Sequence, residues 1–242
     1  MDKSKSATKI QKVYKKYLYS KNVLEPCDPS SIKINIDIIK KKIKDDILTD
    51  GKLEFYEASS TKNYKLDDGH MEYITSKGIE DSRWVGPGNN PIDVLCNNQK
   101  LGIDVACVCC NGNETNEKSI IQNFKNSGNL LDIYFENNKP NNAIDLYKKD
   151  YIKKLTPYIN HKLYYLIYIS IKNKIYISLF KLNIFAIQNI SCDGISKSNK
   201  SINCCKFIDN KYGSVKLYKS KKRLEIRFKR EIINNFNTTE LF

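Results

Sequence analysis

Two aspartates, Asp93 and Asp104, stand in two short apolar runs separated by a polar loop. The first run reads Pro91-Ile92-Asp93-Val94-Leu95-Cys96 and the second Leu101-Gly102-Ile103-Asp104-Val105-Ala106-Cys107. Each acid is flanked by Ile and Val, which favour strands. Between the runs, Asn97-Asn98-Gln99-Lys100 is a natural hairpin connection. Antiparallel pairing of the runs brings the two carboxylates together. At close range they repel, unless one keeps a proton or a cation lies between them. A hard divalent ion resolves that conflict, and Mg²⁺ suits one or two carboxylates completed by phosphate oxygens. The chemistry open to such a pair is metal-assisted hydrolysis of a phosphate ester.

With Asp93 behind Pro91 and Asp104 on the following run, the segment resembles the PD-(D/E)xK nuclease superfamily, type II restriction endonucleases in particular. The resemblance covers about residues 69–182, and Pro91 lies one place further back than in the strict Pro-Asp form. It implies a Mg²⁺-dependent endodeoxyribonuclease with a restriction-endonuclease-like core. Asp93 and Asp104 would be its motif acids and metal ligands, and double-stranded DNA its partner. Enzymes of this kind that cut both strands at palindromic sites imply a homodimer.

One departure matters. The family carries Lys two places after its second acid, where this chain has Ala106. Lys118, at the start of a helix expected over 117–125, is the first candidate to replace that charge, and Lys100 the second. Gln122, one turn after Lys118, would touch the attacking water or DNA. A helical glutamate in the family points to a third acid and ligand before the hairpin. Glu72 is favoured over Glu80, with Asp81 nearby, and each also reads as an ordinary solvated helix residue. The loop Arg83-Trp84-Val85-Gly86-Pro87-Gly88-Asn89-Asn90 offers either backbone N–H groups and Asn side chains to DNA or simply a turn anchored by Trp84.

The elements that must position these groups follow from periodicity. Ile36, Ile39, Ile43 and Ile47 fit one face of a helix over about 36–48, after a short alternating run at Ile32, Ile34 and Ile36. Residues 51–67 read as a hairpin or irregular loop, and 69–78 as a helix ending at Gly78. A helical stretch interrupted at Lys139-Pro140 runs to about Leu155. The apolar runs 163–170 and 174–182 predict a hairpin buried on at least one face. Strand-like runs follow at 205–208, 214–218 and 223–229. This order predicts an α/β (α+β) domain, a central mixed sheet flanked by helices.

Residues 1–25 read as a separate basic helix ahead of a nuclease-like domain over 26–242. Ile10, Gln11 and Lys15 resemble a degenerate calmodulin-binding IQ motif, with Lys16 and Ser20 departing from it. A weak calmodulin-type contact through residues 8–21 is one reading. A basic amphipathic helix lying on the domain or on DNA phosphates is the simpler one. Under the first reading the chain would be a host-interaction protein.

The net charge of +14 invites a polyanionic partner. It comes from 37 Lys and 4 Arg, and abundant Asn, Ile and Tyr show that AT-rich codons contribute to the lysine count. With Ala106 in place of Lys, a nucleic-acid-binding protein without catalysis is the alternative on the same fold. No run approaches eighteen apolar residues and the first residues lack an apolar signal core, so an intracellular chain without membrane spans is expected. The eight cysteines then read as reduced thiols, with Cys107 and Cys109 alternating as small apolar residues. Codon bias, IQ-like helix and nuclease-like core together resemble the style of large eukaryotic DNA viruses, which implies host cytoplasm or nucleus.

Overall fold

The computed structural model describes residues 22–49, 55–58, 61–64, 66–86, 90–111, 114–115, 119–123, 133–137, 139–171, 174–196, 200–219, 223–235 and 237–241. The expected N-terminal helix, with its IQ-like pattern, lies outside them.

Isoleucine spacing and side-chain caps build the first helices. In α1 (Ile36–Thr49), Ile39 and Ile43 are fully buried one turn apart. Asn35 caps it by accepting from the Ile38 N–H at 3.1 Å. In α2 (Asp68–Lys77), Asp67 caps the start by accepting from the His70 N–H at 2.9 Å, and Met71 and Ile74 turn inward. The third helix, α3 (Pro140–Leu155), opens on a proline at its first turn, where no N–H is missed.

The strands of the first half are β1 (Leu24–Pro26), β2 (Phe55–Ala58), β3 (Thr61–Tyr64), β4 (Arg83–Trp84), β5 (Val94–Cys96), β6 (Leu101–Asn111), β7 (Glu114–Thr115) and β8 (Ser119–Asn123). Those of the second half are β9 (Lys162–Ile171), β10 (Lys174–Leu182), β11 (Ser191–Ile195), β12 (Ser201–Cys205), β13 (Gly213–Tyr218), β14 (Arg223–Phe228) and β15 (Thr238–Glu240). Eight strands form a central mixed sheet in the order β1-β10-β9-β6-β5-β4, with β15 beside β10 and β7 beside β6. The β6–β9 join is parallel and the other pairings are antiparallel. The chain between β6 and β9 includes α3, as a parallel crossover requires. The fold is therefore mixed α and β around a central mixed sheet flanked by helices, as the element order predicts.

Alternation along β6 divides the core in two. Ile103, Val105 and Cys107 pack with Ile39 and Ile43 of α1 and Met71 and Ile74 of α2. Ala106 and Val108 face the other way, toward Tyr147 and Tyr151 of α3. That second core also takes Ile202, Leu217, Leu224 and Phe228 from a five-stranded antiparallel sheet ordered β11-β12-β13-β14-β8. At the β6–β9 contact, a Cβ on Gly102 would meet Leu163 Cδ2 at 2.9 Å and Ile92 Cγ2 at 3.3 Å. Gly102→Ala is therefore expected to cost about 1–3 kcal/mol by overpacking, read from the urea midpoint. It would also push on Ile92, the residue before Asp93.

Several expectations are corrected. The helix expected over 117–125 is replaced where described by strand β8, Ser119–Asn123, which pairs with β14. The β-branched pair Ile120-Ile121 finds a partner strand there, and tertiary pairing overrides the helix-cap pattern. The boundary placed at residues 25 and 26 falls inside β1, whose Leu24 pairs with Leu182. The alternating run at 32–36 forms only an isolated bridge, Ile34 with Ile79. The strand expected at 205–208 lies at Ser201–Cys205. Within 51–67, residues 55–58 and 61–64 form the β2–β3 hairpin. No described helix is long and apolar enough to cross a membrane.

Candidate active site

Strand β6 is eleven residues long and its partner β5 only three. Their register pairs Val94 with Ile103 and Cys96 with Leu101, so Asp93 and Asp104 come opposite one another at the ladder's end. Pro91 lacks an N–H and cannot extend β5 backward past this point as a regular partner. From Val105 onward the edge of β6 needs other acceptors. Carboxylates supply them. Asp93 Oδ2 accepts from the Val105 N–H at 2.7 Å, and Asp68 Oδ1 accepts from the Cys107 N–H at 2.8 Å. The Asp93 backbone is tied on both sides, donating to the Ile103 carbonyl at 2.9 Å and accepting from the Val85 N–H at 2.7 Å.

Glu72 joins from α2, one turn after Asp68. Its Oε2 accepts from the Trp84 indole N–H at 2.8 Å. Trp84 is held in turn by β4, whose register sets it beside Val94. Asp104 shares a strand face with Ala106, toward α3. Asp68 and Glu72 approach from the opposite side, on the helix that packs with Val105 and Cys107. The four acids thus straddle one sheet edge. Accordingly, among the described residues no three acid, His or Cys side chains are grouped as a ready-made metal cage.

The electrostatics are those of uncompensated acids. Burial pushes the Asp93 carboxyl up to about 7; the Val105 hydrogen bond opposes this, and the charge of Glu72 adds to it. Asp104 is raised well above the usual carboxylate range by burial and then by the Asp93 charge. The two carboxyls are hydrogen-bonded, and that bond favours the proton on Asp104. Burial also raises Glu72, against the pull of the Trp84 N–H. The buried phenols of Tyr147 and Tyr151 on α3 are raised mainly by burial, and Asp104 adds to both. Among the described residues no ion pair reaches Asp93, Asp104 or Glu72.

The residues singled out from sequence separate cleanly. Asp93 and Asp104 face each other, and Glu72 lies near enough for its charge to raise Asp93 without grouping with the pair as a third ligand. Glu80 and Asp81 do not join them: the Glu80 carbonyl accepts from Gln99 Nε2 at 3.5 Å and Asp81 from Asn98 Nδ2 at 3.1 Å, so both brace the hairpin turn. Lys100 lies in that turn at φ 49°, four residues from Asp104, about 13 Å along an extended strand. Lys118 lies outside the described residues. Gln122 is on strand β8 opposite Leu224, not on a helix. Asp68 was missed, although its i, i+4 spacing to Glu72 on one helix was a legible signal. Ala106, where the family motif has Lys, is 7 % exposed and packs in the core.

All the converging donors are carboxylate oxygens, which fits a hard ion such as Mg²⁺ better than a soft one. Asp93 and Asp104 would hold it as the protein's share of the coordination. The chain matches no protein-family model, no curated protein and no solved structure.

Proposed function

We propose that this edge is the active site of a Mg²⁺-dependent endodeoxyribonuclease related to the PD-(D/E)xK superfamily. The observation that carries the reading is the facing pair Asp93 and Asp104, half-buried, both held above the ordinary carboxylate range and without a cationic partner among the described residues. Such a pair is costly to keep for stability alone. The net charge of +14 supports a polyanionic substrate. Double-stranded DNA, site-specific cutting, a homodimer and an intracellular, host-cell setting belong to the same proposal.

When bound, a divalent ion would supply Lewis-acid stabilisation of phosphoryl charge and a more acidic water. The chain's own residues would act around it as follows from their contacts. Asp104 must give up its proton for both carboxylates to ligate. Asp93 stays oriented by the Val105 N–H. Glu72, with raised proton affinity and its second oxygen anchored on Trp84, is placed to accept a proton from an approaching water. Lys118 remains the candidate for the cation at the phosphate.

The specific observation favouring the alternative, a binding protein without catalysis, is the burial of Ala106 in the position where the related motif has Lys. Incubation with unmethylated plasmid and Mg²⁺ separates the two. The proposed enzyme yields discrete fragments, lost in EDTA and in Asp93→Ala. A gel shift with no cutting at any divalent ion leaves the binding protein.

A further inference from the structure

Trp84 anchors Glu72 with its indole N–H, and its ring serves a second surface. The Tyr73 ring stands 6.1 Å from it, at an interplanar angle of 77°. Two rings at nearly a right angle meet as a corner. Tyr73 is 39 % exposed, and Trp84 is half-buried. One cation borders the corner. Lys77, one turn on along α2, places its Nζ 5.0 Å from the Tyr73 ring centroid. Arg83, the strand neighbour of Trp84, faces the other side of the sheet. Lys77 forms no ion pair among the described residues. The corner therefore presents aromatic faces and positive charge on one side of Trp84, and carboxylates on the other.

This arrangement selects its occupant. An acidic peptide would use the cation but leave the rings idle, and a purely apolar ligand would do the reverse. A nucleotide strand uses both, stacking a base on a ring and setting a phosphate by Lys77. A base can stack there only when it is not paired within a duplex. We propose that Tyr73 and Trp84 hold an unpaired nucleobase of a DNA strand, with Lys77 at its phosphate. The strand is thereby delivered to the acids single-stranded or locally opened. This deepens the nuclease reading and rests on it for what happens next to the corner.

Trp84 is the only tryptophan in the chain, so intrinsic fluorescence reports the corner directly. The full chain is titrated in EDTA with a short oligothymidylate, alone and annealed to its complement. The single strand is expected to quench the emission about twofold and to bind about tenfold more tightly than the duplex. Tyr73→Ala, at an exposed position that should not disturb folding, is expected to weaken single-strand binding about tenfold. Tyr73→Phe, which keeps the ring, should restore it. Lys77→Ala should reduce the slope of affinity against salt by about one. Unchanged emission, or equal affinity for Tyr73→Ala and the native chain, overturns the corner. Cutting with Mg²⁺ but no quench removes the corner and keeps the nuclease. A quench with no cutting keeps the corner and removes the nuclease.

Discussion

Asp104→Asn is expected to abolish metal-dependent cleavage while making the metal-free protein more stable. The loss of activity should exceed about 10³-fold, because under the proposed reading a ligand carboxylate is replaced by a neutral amide. The gain in stability has a separate cause. Asp104 lies on the core-facing side of β6 and is raised well above the usual carboxylate range by burial and by Asp93. Near pH 8 the folded protein must either hold a proton there against solution or tolerate a second buried charge. An amide does neither and can still donate to Asp93. The expected gain is about 1–2 kcal/mol, a rise in melting temperature of roughly 2–8 °C for a chain of this size. Thermal melts in EDTA beside plasmid assays read both halves. Full cutting by Asp104→Asn would end the nuclease reading, and a less stable variant would mean the carboxylate is retained for structure.

The second large effect is on stability against pH. The folded pKa of Asp93 is raised to about 7, from an ordinary value of 3.8. Between those values the folded chain binds more protons than the unfolded one. This contribution to stability is fully present below about pH 3.8 and is lost as pH rises through 7. The slope is at most about 1.4 kcal/mol per pH unit for each proton. Asp104 extends the trend in the same direction. Under the proposed reading Mg²⁺ would act oppositely, binding the deprotonated pair and stabilising the folded state by mass action. Melting temperatures from pH 5 to 8 should therefore fall in EDTA relative to an Asp93→Asn/Asp104→Asn double variant. Mg²⁺ should raise them most at pH 8 and little at pH 5. A flat difference between native and double variant would show that the carboxyls are solvated, and an equal Mg²⁺ response in both would place any ion elsewhere.

How much of this was legible depends on where each signal resides. Helix α1 was readable because Ile39 and Ile43 carry its period, and β9 and β10 because their apolar runs are long. The acid hairpin was readable because flanking β-branched residues and a polar four-residue loop occur in contiguous sequence. Strand β8 was not, since its partner β14 lies about a hundred residues away and nothing local announces it. A still longer separation hid β1, whose Leu24 pairs with Leu182 of β10. Within the site, Asp93 and Asp104 came from local pattern. The role of Asp68 depends on an edge N–H of Cys107, visible only once β6 is seen to outrun β5. The Trp84–Glu72 contact likewise needs the placement of β4 against α2.

That unequal length of β5 and β6 reaches beyond chemistry. A strand edge with unmet N–H groups is a template on which any extended peptide can add itself. Here two acid side chains stand in for the missing neighbour and make that edge repellent to one. If the proposed reaction holds, Asp93 is held by two independent pressures. A lineage that ceased to need that reaction would still expose the edge by discarding this residue, whereas Asp104, which closes no backbone group in the hydrogen bonds seen here, would be free to drift.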